Sequence, residues 1–117
     1  MSESEENYLG TIFILKKRMQ SVRSIDIANH LGYSRASVSR ALKNLRLNGY
    51  LQFGAENAIE FTQKGLEAAS GIYERHTVIS EFLQKSIGID ANQAAQYSGP
   101  FAHVISEETY CKMKLSL

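Results

Sequence analysis

Apolar residues recur at spacings of three and four along the start of the chain, at Tyr8, Leu9, Ile12, Phe13, Leu15 and Met19. That period predicts a helix over about Glu5 to Met19. Lys16, Lys17 and Arg18 fall in its last turn, where cations offset the carbonyl end of the helix dipole. A shorter helix follows through Ile25, Ile27, Ala28 and Leu31, with Ser24 as its cap and Gly32 as its stop. After Gly32-Tyr33, Ser34 caps another helix. This one carries Val38, Ala41, Leu42 and Leu45 on one face, and Arg35, Ser39, Arg40, Lys43 and Arg46 on the others. Asn48-Gly49 ends it.

The period then changes to two. Tyr50-Leu51-Gln52-Phe53 and Ala58-Ile59-Glu60-Phe61 alternate like strands, and Gly54-Ala55-Glu56-Asn57 turns the chain between them. Thr62 caps a long helix from about Gln63 to Lys85, ended by Ile87-Gly88. Gly71 inside that helix weakens it by ~1 kcal/mol relative to alanine, and marks a place for a bend or close packing. Asp90 caps a helix through Tyr97, which the pattern interrupts around Gly99-Pro100. Ser106, followed by Glu107 and Glu108, begins a last helix toward Leu117. No internal repeat is present.

Three helices, a hairpin and three more helices make a mainly α chain. The order predicts a winged helix-turn-helix DNA-binding domain over residues 1–62 and a helical linker and dimerisation region over residues 63–117. In such a pair the second helix enters the major groove by its N-terminus. Here it opens Ser34-Arg35-Ala36-Ser37, and small residues let the groove floor come close. Ser34 and Ser37 can donate to phosphates or base edges, Arg35 and Arg40 can fork onto a guanine edge or a phosphate, and Ser39 joins them as a candidate DNA-binding residue. Lys43 positions the backbone without reading sequence. The wing carries Glu56 and no cation, so its own grip on DNA is expected to be weak.

Composition narrows the classes. At 117 residues with 44% hydrophobic content, the chain can bury a core but gains from self-association. Its apolar tail (Ala94, Ala95, Tyr97, Phe101, Val104, Ile105, Tyr110, Met113 and Leu115) divides between packing on the long helix and packing on a symmetry mate. The net charge of +1 hides a division: no acidic residue lies between Ile27 and Ala55, while the stretch from Gly65 onward is mildly acidic. A local basic face attracts phosphates whatever the total charge. No apolar run reaches the ~20 residues of a membrane span. The acidic start, MSESEENYLG, does not have the order of a secretory signal, and a single cysteine, Cys111, excludes an internal disulfide. A cytoplasmic setting is the expectation. No nucleophile–base pair, phosphate loop or HExxH motif points to an enzyme. His30 reads as a capping or surface residue.

Longer stretches resemble the iron- and manganese-dependent repressor family, the diphtheria toxin repressor and manganese transport regulator group. They are ENYLGTIFIL, IDIANHLGYSRASVSRALKNLRLNGYL, FTQKGLEAASGIYERH with EFLQKSIGID, and AHVIS. The resemblance implies a winged helix, a helical dimerisation region, a palindromic DNA operator bound by a homodimer, and divalent-metal control by manganese or iron. It also implies metal ligands, and here the sequence departs. Of the family positions, His76 and His103 retain imidazoles, whereas Asn7, Gly10, Gly99 and Ala102 stand where the usual ligands would be. Two neutral imidazoles make a poor site for a hard divalent ion. Glu6, Glu74 and Glu81 are nearby carboxylates that could substitute, and two histidines with one of them could hold zinc. Otherwise the histidines are hydrogen-bonding residues of the helix packing. The sequence therefore supports a DNA-binding regulator with lost or remodelled metal control. The alternatives are a working manganese- or iron-responsive repressor and a winged-helix interaction module that no longer touches DNA.

Overall fold

A computed structural model describes all 117 residues, Met1–Leu117. The elements, in chain order, are α1 (Glu3–Arg18), α2 (Ser24–Leu31), α3 (Arg35–Leu47), β1 (Leu51–Phe53), β2 (Ile59–Phe61), α4 (Gln63–Phe82), α5 (Ala91–Val104) and α6 (Glu107–Leu115). A 3-10 turn over Ala55–Asn57 joins the strands, and a π-helical turn over Leu83–Ile87 follows α4. This is the mainly helical, winged architecture expected, in two compact units, Met1–Ser70 and Gly71–Leu117. No helix is long and apolar enough to cross a membrane.

Capping sets most helix boundaries. α1 starts earlier than the hydrophobic pattern indicated, because Ser2 and Glu5 form a capping box: Ser2 Oγ accepts the Glu5 amide at 3.1 Å, and Glu5 returns a carboxylate to the Ser2 amide at 3.2 Å. Ser24 is the first helical residue of α2 rather than its cap; the Asp26 carboxylate accepts the Arg23 amide at 2.9 Å and does that work. Ser34 caps α3 as expected, accepting the Ser37 amide at 3.2 Å. Gly32 ends α2 at φ +72°, a left-handed conformation that would strain any side chain, and so permits the tight turn into α3.

In the first unit, α2 packs on α3 and α1 packs on both. Leu9, Ile12, Ile27, Val38, Leu42, Leu45, Leu51 and Ile59 are all buried. The two strands pair antiparallel, Leu51 opposite Phe61 and Phe53 opposite Ile59. The hairpin is tied to α1 and to the connection after it by two hydrogen bonds at one residue: the Ile59 amide donates to the Val22 carbonyl at 2.7 Å, and Lys16 Nζ, in the last turn of α1, donates to the Ile59 carbonyl at 2.9 Å. At the base of the wing, a methyl group added to Gly65 would sit 1.8 Å from the Tyr50 carbonyl oxygen. Only glycine lets the start of α4 pass that close.

In the second unit, Ile79, Leu83, Ala94 and Ala102 form a buried cluster, flanked by Phe82, Ile89, Ile105 and Met113. Two expectations need correcting. The helix capped by Asp90 does not break at Gly99-Pro100: α5 runs on to Val104 with Pro100 inside it. Proline removes one amide from the ladder, and its ring normally crowds the Cβ of the residue before it. Gly99 has no Cβ, which relieves the second problem. Gly71 is not a site of close packing either, since nothing lies within 4 Å of where its Cβ would be.

Candidate nucleic-acid interface

α3 owes its orientation to Val38, Leu42 and Leu45, which are buried and fix which side faces out. The outer side then carries Arg35, Ala36, Ser39, Arg40, Lys43 and Arg46, all exposed. At the N-terminal end, Ser34 Oγ is held against Ser37 Oγ at 3.0 Å, and Tyr33 stands half-exposed in the turn with its ring edge-on to Tyr8. The structure therefore brings the residues Ser34, Arg35, Ala36, Ser37, Ser39, Arg40 and Lys43 onto one helix, at or near its solvent side.

The charges on that helix differ from those elsewhere. Arg35, Arg40, Lys43 and Arg46 enter no ion pair or side-chain hydrogen bond within the chain. Most other cations are engaged. Arg23 bonds Glu56, Lys64 donates to the Asn48 carbonyl and lies over the Tyr50 ring, and Lys85 and Lys112 pair with Glu81 and Glu108 one helical turn back. A row of unneutralised cations on one face, with no acid between Ile27 and Ala55, makes a local positive field of the kind that attracts phosphates.

The acid expected in the wing turn has a partner within the chain. Glu56 does stand at its tip, but Arg23 reaches across to it: Nη2 lies 2.8 Å from the Glu56 carboxylate, and Nε donates to the Glu56 carbonyl at 3.0 Å. Glu56 and Asn57 both adopt positive φ, +55° and +60°. Asparagine tolerates that region; glutamate does so at a cost. The two bonds from Arg23 hold the tip in this conformation and offset its charge.

The metal positions were tested by the donors they offer. Asn7 and His76 are partly buried, His103 is exposed, and Gly10 and Ala102 are buried without donor side chains. Ala102 belongs instead to the apolar cluster with Ile79, Leu83 and Ala94. The carboxylates that could substitute have other partners. Glu74 accepts from Lys114 and from Tyr110, the latter at 3.1 Å, and Glu81 pairs with Lys85 at 3.2 Å. The Lys114 hydrogen bond, with that of Tyr110, holds the Glu74 carboxyl below the usual range; burial, and then Glu74, pushes the Tyr110 hydroxyl up. Arg75 lies over the Tyr110 ring at 4.7 Å and within 3.3 Å of Glu107, a charge contact whose geometry is not that of a hydrogen bond. Nowhere do three histidine, cysteine, aspartate or glutamate side chains come together to hold a metal ion. Of the six metal positions, only His76 and His103 carry an imidazole and none carries a carboxylate, a donor set poorly matched to a hard divalent ion.

Comparison with known proteins settles the lineage. Residues 1–58 match the family described as iron dependent repressor, N-terminal DNA binding domain, and residues 62–117 match its metal binding and dimerisation domain. The chain belongs to the iron-dependent repressor family. An HTH-type transcriptional regulator of Methanocaldococcus jannaschii is 28% identical to it over 98% of this chain and 93% of that protein. The transcriptional regulator MntR of Escherichia coli O6:H1 is 27% identical, over 94% of this chain and 70% of its own length. Among solved structures, the manganese regulator SloR superposes with a TM-score of 0.86 at 24% identity, covering 98% of this chain and 54% of SloR. A hypothetical protein from Sulfolobus solfataricus gives 0.70 at 28% identity, over 99% and 88%. The chain thus spans about half the length of SloR.

Ser24 and Asn57 also belong to the exposed surface beside α3, and Arg46 to α3 itself; none of the three was among the DNA-binding residues expected from the sequence. Arg46 had a usable signal, since Ser39, Lys43 and Arg46 share one face at helical spacing. Ser24 and Asn57 come near that face only through folding.

Proposed function

We infer that this member of the family is a DNA-binding transcriptional regulator, a repressor, that acts as a homodimer on a palindromic operator and whose metal control is degenerate or remodelled. Residues 1–62 bind DNA, with Arg35 and Arg40 at base edges or phosphates, Ser34, Ser37 and Ser39 as donors, and Lys43 on the backbone; Ala36 leaves room for the groove floor. Residues 63–117 associate the two copies. The observation that carries this reading is the set of unpaired cations on the outer face of α3, Arg35, Arg40, Lys43 and Arg46, above a buried Val38–Leu42–Leu45 face that fixes their direction. No catalytic arrangement accompanies them, so an enzymatic role is not part of the proposal.

The dimer rests on α5. Tyr97, Phe101 and Val104 follow one another at spacings of four and three and stay exposed, while Ala94, Ser98 and Ala102 on the same helix are buried. An apolar stripe at that spacing on one helix fits its twofold mate. Degenerate metal control rests on the donor set, in which Gly10, Gly99 and Ala102 offer no side-chain ligand. Retention of His76 and His103 favours the second reading, a manganese- or iron-responsive repressor of the kind that relatives' names describe. Substitution of Arg35 and Arg40 by glutamine tests the primary reading: duplex binding by the parent should weaken at least tenfold. Binding that survives both changes undiminished would refute the assignment of α3.

A further inference from the structure

An open cavity of about 390 Å³ lies between the first two turns of α1 and the last two turns of α3, with Ser4, Glu5 and Tyr8 on one side and Asn44, Leu47 and Asn48 on the other. That volume falls within the range of small-molecule sites, about 300–1,000 Å³. None of Arg35, Arg40, Lys43 and Arg46 lines it, and its one charged group is the Glu5 carboxylate. Tyr8 is only 5% exposed, yet its hydroxyl takes no hydrogen bond within the chain. A buried polar group left without a partner is costly, and the cavity that Tyr8 lines is the space from which a partner can reach it. The side-chain amides of Asn44 and Asn48, one helical turn apart, are also without partners within the chain.

We infer that this cavity binds a small organic ammonium with a short apolar body, a site independent of any contact with DNA. The capping box holds Glu5 in place: its Oε1 accepts from the Ser2 amide at 3.2 Å and from Ser2 Oγ at 3.0 Å, which leaves Oε2 for a cation. Glu3 and Glu6 in the same turn offset the positive end of the α1 dipole. The opposite wall is the carbonyl end of α3, where the dipole favours a cation. An ammonium of the chain already uses that end from outside the cavity: Lys64 Nζ donates to the Asn48 carbonyl at 2.9 Å. Around the charge, Tyr8 Oη and the Asn44 and Asn48 amide oxygens can accept from the ligand. Leu47, 69% exposed, and Ala41 offer apolar surface for its body. With one carboxylate and no cation in the lining, an anion is disfavoured.

Three probes with the same tail and different heads test the charge and the place together. Hexylamine, hexanol and hexanoate would each be titrated into the full chain, without DNA, at neutral pH, and followed by amide chemical shifts in NMR. Hexylamine should give saturable shifts at residues 4–8 and at the side-chain amides of Asn44 and Asn48, with a Kd of about 1 mM or tighter. Hexanol should bind at least about fivefold more weakly, and hexanoate not at all. Glu5→Gln should bring hexylamine down to the affinity of hexanol. Glutamine serves a capping box as glutamate does, so α1 should keep its start. Tyr8→Phe keeps the ring beside Tyr33 and should weaken hexylamine by about three- to tenfold, one hydrogen bond, with the melting temperature held. The proposal is overturned by any of three results: no saturable shift at these residues below about 10 mM hexylamine, equal binding of hexanol or hexanoate, or full affinity in both Glu5→Gln and Tyr8→Phe. Each would leave the DNA-binding reading untouched.

Discussion

Replacing Phe101 by glutamate puts the proposed dimer to a quantitative trial. Phe101 is 40% exposed, and its ring stacks on that of Tyr97 with centroids 6.0 Å apart and planes inclined by 24°. Tyr97 is 44% exposed and Val104 74%. A phenylalanine has roughly 150–250 Å² to bury, so 40% of it leaves about 60–100 Å² for a partner. At ~25 cal/mol per Å² that is about 1.5–2.5 kcal/mol per ring. A twofold interface uses the same ring twice. Because association also costs ordering and imperfect desolvation, only part of that gain survives, and about 2 kcal/mol is a conservative net loss. Glutamate adds the burden of bringing two carboxylates to one axis. Sedimentation equilibrium at micromolar concentration should therefore find a dimer in the parent. Dissociation in Phe101→Glu should be at least about 30-fold easier. The buried face of α5, with Ala94, Ser98 and Ala102, is untouched, so helical content and melting should stay near those of the parent. A variant that remains dimeric with the parent's dissociation constant would show that this stripe is not the interface. Loss of fold along with loss of the dimer would be diagnosed by Phe101→Leu, which keeps the apolar surface and should stay dimeric.

Other outcomes follow from particular contacts. Gly65→Ala places a methyl group 1.8 Å from the Tyr50 carbonyl, which also accepts the Thr62 amide, so the base of the wing must shift. A loss of about 3 kcal/mol is expected, or roughly 10–20 °C in melting temperature, and an unchanged melt would contradict the close approach. Glu56→Gln removes an acid from the DNA side, which simple charge counting says should tighten binding. If Arg23 and Glu56 hold the wing, affinity should instead fall about two- to fivefold, the small energy of an exposed ion pair. Tighter binding would refute the positioning role. Glu74 is held below the usual carboxyl range by Lys114 and Tyr110, so its contribution to stability is present above the ordinary glutamate range. That contribution is lost as pH falls through the lowered value. Glu74→Gln should therefore narrow the stability difference between neutral and acid pH, measured by urea unfolding, and an identical pH dependence in the variant would count against the pairing.

Much of the fold can be read from local chemistry. Gly32 ends α2, and Ser34 and Asn48-Gly49 bound α3, by the backbone rules that any helix obeys, and the change from a period of three and four to a period of two locates the hairpin. The outward direction of the proposed DNA-binding residues follows from the same pattern, because burying Val38, Leu42 and Leu45 leaves only one direction for Arg35 and Arg40. What escaped the sequence depended on partners distant along the chain. Glu56 read as an unpartnered acid on a weakly gripping wing because its partner Arg23 is 33 positions away. Ser24 and Asn57 come to one cleft only once the wing is tied back through Ile59 and Val22. Pro100 read as a break, since proline's rule is local, whereas burial of Ala102 and Ala94 in one cluster favours a helix that continues through it. The metal positions were legible as absences: Gly10, Gly99 and Ala102 have no donors to offer in any conformation. The structure added that Glu74 and Glu81, two of the three carboxylates that could have compensated, are engaged with lysines.

The central claim is a DNA-binding regulator that has departed from its family's metal control. Its most direct test is fluorescence anisotropy of a labelled duplex from upstream of the gene, titrated with chelator-treated protein and repeated in Mn²⁺, Fe²⁺ and Zn²⁺. The account predicts saturable binding by the metal-free protein, with an affinity that no metal raises by as much as tenfold. A tenfold or greater gain with one metal, ~1.4 kcal/mol of coupling between metal and DNA, would contradict it and restore the family's switch.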